Sequence, residues 1–428
     1  MSDEPEGVRA LRPIADLPDI SEIAPAYSTL GYPEEFSELF ANPQLRLLRA
    51  GRGRVVVFRN VDVRTIAAKP YAGNMPFEAL MRRSFIEGAQ DSQVGIDSRP
   101  CAKRFLEGQI FTANAPRHGP MRQILSKPIL PKSVESLAAV AQPIVEDLID
   151  DLSGAGEVDF ASAFAEPLAG RFWEQAYGMT RDERERVVAA VRALTPLFFI
   201  SRTTDEITLL DGAIGEYMDV LAAAVGRSLQ AGGSALLQSM KTQFDALQIE
   251  ARPQSFGDWV AANVIDGFHT AAVACVNVLY CLLRAPDALA AARSDAGLLP
   301  GALAEGLRML APVMVTNRFA IEDFEYAHTK IPAGTAIAML WAAANRDPAT
   351  FANPNSYDLQ RNPRTPMTFG GGIHVCPGRY VGSMLVSAAL QGLINPRVEI
   401  VPSGDRPQWQ SRSFMRVMER MMVTIRRI

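Results

Sequence analysis

The chain has 428 residues, 48% of them hydrophobic, and 43 Lys+Arg against 47 Asp+Glu leave a net charge of -4. That is enough apolar material for a large core, and the near-balance of charge gives no reason to expect a nucleic-acid partner. Four cysteines, Cys101, Cys275, Cys281 and Cys376, lie far apart with no C-x-x-C pair, which argues against zinc, iron–sulfur clusters and a disulfide framework, and for a reducing compartment.

The N-terminus is acidic and lacks an apolar stretch of signal-peptide type. No charge-free apolar run reaches the roughly 18 residues of a membrane span, so a cytoplasmic protein without such a span is expected. Residues 1–54 read as a proline-punctuated lead-in with a short helix around 33–40. The β-branched stretch 55–67 predicts a small sheet or hairpin. From 76 to 250 most segments have helical periodicity, including 134–152 (with Pro143 placed to kink it), 181–194 and 214–232. The longest predicted helix, 256–284, is apolar enough to cross the protein's centre, and Pro286 is suited to start the next one. Beyond 311, short β-type runs alternate with turns. A further helix follows Gly378, and 397–404 with 415–428 read as paired strands. The chain is thus expected to be mainly α with minor β, and one domain over 1–428.

The most informative stretch is FGGGIHVCPG, residues 369–378. Its glycines permit a tight backbone. Cys376 stands just before a helical segment, where the helix N-terminus favours thiolate. A buried thiolate is a strong electron donor to iron; alternatively Cys376 is an inert cysteine in a Gly-rich turn. Two other pairs share helix faces. His118 and Arg122 are four apart, suited to binding carboxylates or to a solvated face, and Glu305 and Arg308 are three apart.

The ten-residue stretch resembles the haem-binding loop of the cytochrome P450 family, Phe-x-x-Gly-x-His-x-Cys-x-Gly, through Phe369, Gly372, His374, Cys376 and Gly378. The resemblance is clear over 105–428 and weak over 1–75. It implies a single-domain P450 fold with haem b between the long central helix and the cysteine-loop helix. Cys376 would be the iron ligand, Phe369 and Gly370 would lie against the cofactor, and His374, His118, Arg122 and Arg318 would reach its propionates. Glu305 and Arg308 match the family's buried Glu-x-x-Arg pair. Ser356 stands where the third, cationic member is normally found, so the triad is altered, with Arg361 as a possible substitute.

The family's oxygen-site segment, Ala/Gly-Gly-x-Asp/Glu-Thr, corresponds to Asp266–Thr270 here. Gly267 is expected to ease a local widening of the helix, and Thr270 to steer protons. His269 replaces the usual acid: it is either a proton relay or a packed histidine. Asp266, on the face of Thr270, is a relay, a hold for a polar substrate group, or a salt-bridged helix residue. Pro377 has no N–H to offer the sulfur, which predicts a more electron-donating thiolate, unless it only shapes the start of the helix.

The implied activity is C–H hydroxylation of a mostly apolar small molecule using O2. Electrons would come from a ferredoxin and its reductase, because the chain has no room for a flavin domain. Arg379, Lys127 and Lys132 are candidates for facing that partner, and a monomer is expected. By the same analogy the pocket draws on 85–111, 194–207, 264–270, 313–316 and 413–415. Phe198, Phe199, Phe268 and Phe414 point to a bulky apolar or aromatic substrate, and Arg202 or Arg412 is available for a carboxylate. Other uses of the same haem remain open: oxidative coupling, isomerisation, peroxide-driven chemistry, or binding without catalysis. So does an unrelated helical scaffold without haem.

Overall fold

The computed structural model describes residues 11–25, 36–51, 53–86, 96–199, 201–247, 255–361, 366–404 and 407–428. The extreme N-terminus, the start of the expected 33–40 helix and the 87–95 part of the expected pocket lie outside the described residues.

Among the described residues the fold is mainly helical with three small sheets. Its axis is the helix Phe256–Leu283, whose Ser255 cap accepts from the Asp258 amide. Its 28 residues span roughly 42 Å. By composition it could cross a membrane, but 72% of its most apolar window is buried inside the protein; its hydrophobicity is that of a core helix. Around it pack Glu166–Tyr177, Thr204–Gln230, Leu299–Met309 and Arg379–Leu393. Capping boxes at Thr180 and Thr203 start Arg181–Ala193 and Thr204–Gln230. Pro131–Leu152 runs on through Pro143 as one helix.

A five-stranded sheet orders Leu47–Ala50, Arg54–Val57, Ala336–Met339, Thr316–Ala320 and Ala72–Gly73. Among these five strands Arg54–Val57 and Ala336–Met339 pair in parallel and the other neighbours are antiparallel. The stretch 55–67 therefore differs from expectation. Its first residues are the second arm of a hairpin, but Asn60–Ala67 is a helix. Val63, Ile66 and Ala67 recur at helical spacing and are buried, so packing outweighs β propensity. The C-terminal strands pair as expected, Val398–Pro402 with Met422–Arg427, and Glu157–Asp159 completes that sheet.

Candidate active site: a cysteine loop facing the central helix

The Cys376 amide donates to the Phe369 carbonyl at 2.8 Å, closing the loop. Gly370 (φ +72°) and Gly372 (φ +65°) adopt the left-handed conformation. A Cβ on Gly372 would lie 1.9 Å from the Ala67 carbonyl oxygen. Only glycine lets the loop press on the end of the helix Asn60–Ala67. The helix Arg379–Leu393 follows, with Gly378 as its cap.

The helix start favours the thiolate as expected, through the Gly378 amide, but it does not prevail. Burial pushes the Cys376 thiol up to about 11, outweighing the hydrogen bond from the Gly378 amide and the nearby Arg122 and Arg379. A thiolate at neutral pH therefore requires a cation bonded to the sulfur.

One end of the site collects nitrogen donors. His118, which opens the helix His118–Ser126, brings its Nε2 within 3.1 Å of His374 Nδ1. Asn74 lies beside them. Its amide nitrogen donates to the Ala113 carbonyl at 2.8 Å, lies 3.4 Å from His374 Nδ1, and its oxygen accepts from Arg318 Nη1 at 3.1 Å. The Arg122 guanidinium donates to the Val375 carbonyl. Burial, with mutual repulsion, lowers His118 and takes His374 to about 3. Desolvation also lowers Arg122, and takes Arg318 to about 10. Arg318 Nε is buried without a hydrogen-bond partner among the described residues. Two guanidiniums, still charged but desolvated, crowded against two imidazoles call for an anion. Together with a lone cysteine sulfur, they fit a haem: one thiolate for iron and a donor cluster for two carboxylates. Sequence reasoning missed Asn74, because a lone Asn after a short strand carries no motif.

The opposite wall is the middle of the central helix. That helix is buried over most of Phe256–Leu283, yet Asp266 is exposed and Gly267, His269 and Thr270 are half-buried. This break in burial marks an internal hollow. Asp266 faces it. Desolvation raises its carboxyl to about 6, and its charge in turn helps to raise Cys376. The two side chains are thus within electrostatic range of each other. The Thr270 hydroxyl donates to the Asp266 carbonyl. His269 lies flat on Phe198, with ring centroids 4.8 Å apart and 12° between planes. Its Nε2 is buried without a partner among the described residues, and burial lowers it to about 4, so it is neutral near pH 7.

Gly267 plays a different part from the one expected. The helix stays α-helical through 266–270 without a widened turn. Instead the Trp173 ring occupies the space of the missing side chain: a Cβ on Gly267 would be 2.8 Å from Trp173 Cζ2. Trp173 Nε1 donates to the Gly267 carbonyl at 3.0 Å.

Beyond the site, Arg361 takes the place of the missing third cation, donating to Glu305 from Nε at 3.0 Å. Ser356 contributes only its backbone carbonyl, which accepts from Arg308 and Arg361. The expected pocket segments also meet. Phe198, Val273 and Met415 form one buried cluster with Val313 and Phe414, held by Phe414 N–H to the Phe198 carbonyl at 3.0 Å. Phe268 turns away, towards Trp173. Neither arginine offered for a carboxylate is idle. Arg202 donates to the carbonyls of Pro196 and Leu197, and Arg412 pairs with Glu206. Of the candidate partner-facing residues, Lys127 and Lys132 are exposed, while Arg379 stacks on Tyr380 and donates to the Cys376 carbonyl.

A family model described as Cytochrome P450 matches residues 290–424. The chain is 27% identical over 334 residues to the 6-deoxyerythronolide B hydroxylase of Saccharopolyspora erythraea, spanning 76% of this chain and 79% of that protein. It is 27% identical over 336 residues to the C-19 steroid 1alpha-hydroxylase of Sorangium cellulosum, spanning 77% and 84%. Among solved structures, CalO2 superposes with a TM-score of 0.78 at 22% identity, covering 97% of this chain and 99% of that one. The ligand-free cytochrome P450 TbtJ1 superposes with a TM-score of 0.71 at 25% identity, covering 89% and 93%.

Proposed function

This chain belongs to the cytochrome P450 family, as a bacterial-type monooxygenase using haem b, and from that premise we propose that it hydroxylates a C–H bond of a mostly apolar small molecule with electrons from a separate ferredoxin. The observation that carries this reading is the hollow itself. Cys376 lies within electrostatic range of Asp266, Thr270 bonds the Asp266 carbonyl one turn along the same helix, and an aromatic and aliphatic cluster of Phe198, Val273, Phe414 and Met415 joins that helix through Val273 and the ring of His269.

When bound, the haem supplies the activation of dioxygen. Cys376 would hold its iron, and Phe369 and Gly370 would lie in the supporting loop. His118, Arg122, Arg318 and His374 would bind its carboxylates. The chain's own residues then manage substrate and protons. The aromatic cluster orients the substrate and excludes water. Thr270 holds a proton on a hydroxyl fixed by the Asp266 carbonyl. The Asp266 carboxyl titrates at about 6, so it accepts and returns protons close to working pH. His269, neutral and stacked, passes a proton only by exchanging which ring nitrogen bears it. Lys127 and Lys132 offer positive charge to an acidic electron donor. The chain acts as a cytoplasmic monomer in this reading.

The test is turnover of the haem-loaded protein with isotopically labelled dioxygen, a ferredoxin and its reductase, on substrates chosen from an apolar library by spin-state shift. Hydroxylated product carrying one labelled oxygen supports the reading. Product formed only with hydrogen peroxide would instead favour peroxide-driven chemistry, which the neutral His269 in place of an acid keeps in view.

A further inference from the structure

Trp173 belongs to the helix Glu166–Tyr177, outside every segment expected to line the pocket. It is nonetheless bonded to the turn that carries Asp266 and Thr270. We infer that Trp173 is a positioning residue for proton delivery, acting through the hydrogen bond from its indole N–H to the Gly267 carbonyl. The inference rests on the monooxygenase reading above.

In a regular helix the Gly267 carbonyl accepts the amide of residue 271, leaving one lone pair free. Trp173 Nε1 takes that position at 3.0 Å. The preceding carbonyl, Asp266, receives the Thr270 hydroxyl in the same way. The first two carbonyls of the accessible stretch are therefore each held by a side-chain donor besides the backbone ladder. With Gly267 engaged from the protein side, its carbonyl cannot tilt towards the hollow or take a water from it. The proton path is left to the Thr270 hydroxyl and the Asp266 carboxyl.

Trp173 is itself held firmly. It is buried, stacks on Tyr177 with centroids 5.0 Å apart and 5° between planes, and meets Phe172 edge-on. The fit to Gly267 is close enough that a Cβ there would fall 2.8 Å from the ring. An exchange of either residue disturbs the other, whereas a donor removed without a change of shape isolates the bond.

The experiment compares the haem-loaded parent with Trp173→Phe and with a protein carrying 3-benzothienylalanine at 173, an indole isostere without the N–H. Two readouts are taken. Hydrogen exchange of the peptide spanning 266–274 is expected to quicken about tenfold in both, since one hydrogen bond is worth about a factor of ten. Product formed per reductant consumed is expected to fall severalfold in both, with a changed solvent isotope effect, while haem content and the reduced carbon monoxide complex stay at parental level. If the benzothienyl protein matches the parent in exchange and coupling, and only Trp173→Phe departs, the ring acts by packing and the inference is overturned. Parental protein that yields no reductant-dependent product would overturn the monooxygenase reading instead, and the exchange measurement would still decide whether the bond holds the turn.

Discussion

Arg361 and Glu305 are joined by a 3.0 Å bond from Nε to Oε1, 56 residues apart in the chain, while Arg308 grips both oxygens of the same buried carboxylate. The Asp358 amide donates to it as well. Glu305 thus ties the helix Leu299–Met309 to the loop ahead of the cysteine loop. Arg361→Ala should cost about 1–3 kcal/mol in urea denaturation, because it removes a charged hydrogen bond but leaves Arg308 in place. Arg308→Ala should cost about 3–5 kcal/mol, since it breaks a buried pair. An Arg361→Ala protein as stable as its parent would show that the substitute cation is idle.

Gly372→Ala should damage the cysteine loop. The new methyl would collide with the Ala67 carbonyl, and the left-handed backbone adds strain of about 1–3 kcal/mol. Haem retention, followed by transfer to apomyoglobin, should fall sharply. Gly382→Ala, where nothing lies within 4 Å of the added carbon, serves as the control and should retain haem normally.

Pro377→Leu restores an amide N–H beside the Cys376 sulfur, where Gly378 already donates one. A further hydrogen bond of about 1 kcal/mol would draw charge from the thiolate and raise the Fe(III)/Fe(II) potential by roughly 40 mV. Spectroelectrochemical titration measures this directly, and an unchanged potential would mean that Pro377 only shapes the helix start.

Asp266 and His269 should oppose each other in the pH dependence of stability. The Asp266 carboxyl is raised from 3.8 to about 6, so its contribution favours folding at low pH and is lost as pH rises through 6. His269 is lowered from 6.5 to about 4, so its contribution is present above 6.5 and lost as pH falls through 4. The two slopes overlap in the same window. Asp266→Asn should therefore make stability climb more steeply between about pH 4.5 and 6.5. His269→Gln should flatten or reverse that climb. Denaturation midpoints at the two ends of the window measure both slopes, and a shift in the same direction for both variants would contradict the assignment.

Much of this protein could be read from local signals. The ten residues of the cysteine loop stand out by their glycines and the helix behind them, and their meaning comes from their resemblance to the family's haem-binding loop. So do the long central helix and the paired C-terminal strands, because periodicity and apolar runs are properties of neighbours in sequence. His118 with Arg122, and Glu305 with Arg308, were legible as helix-face pairs for the same reason.

What only the tertiary structure decided concerns contacts between distant residues. Arg361 reaches Glu305, Asn74 joins Arg318 to His374, and Trp173 caps Gly267, 94 residues away. No local pattern encodes these, since each depends on how helices and loops meet. The same holds for ionisation. A helix start suggested an easily formed thiolate at Cys376, but desolvation, which is set by the whole surrounding fold, wins. It also held Asn60–Ala67 as a helix against its β-branched composition, because three-dimensional burial of one face outweighs local propensity.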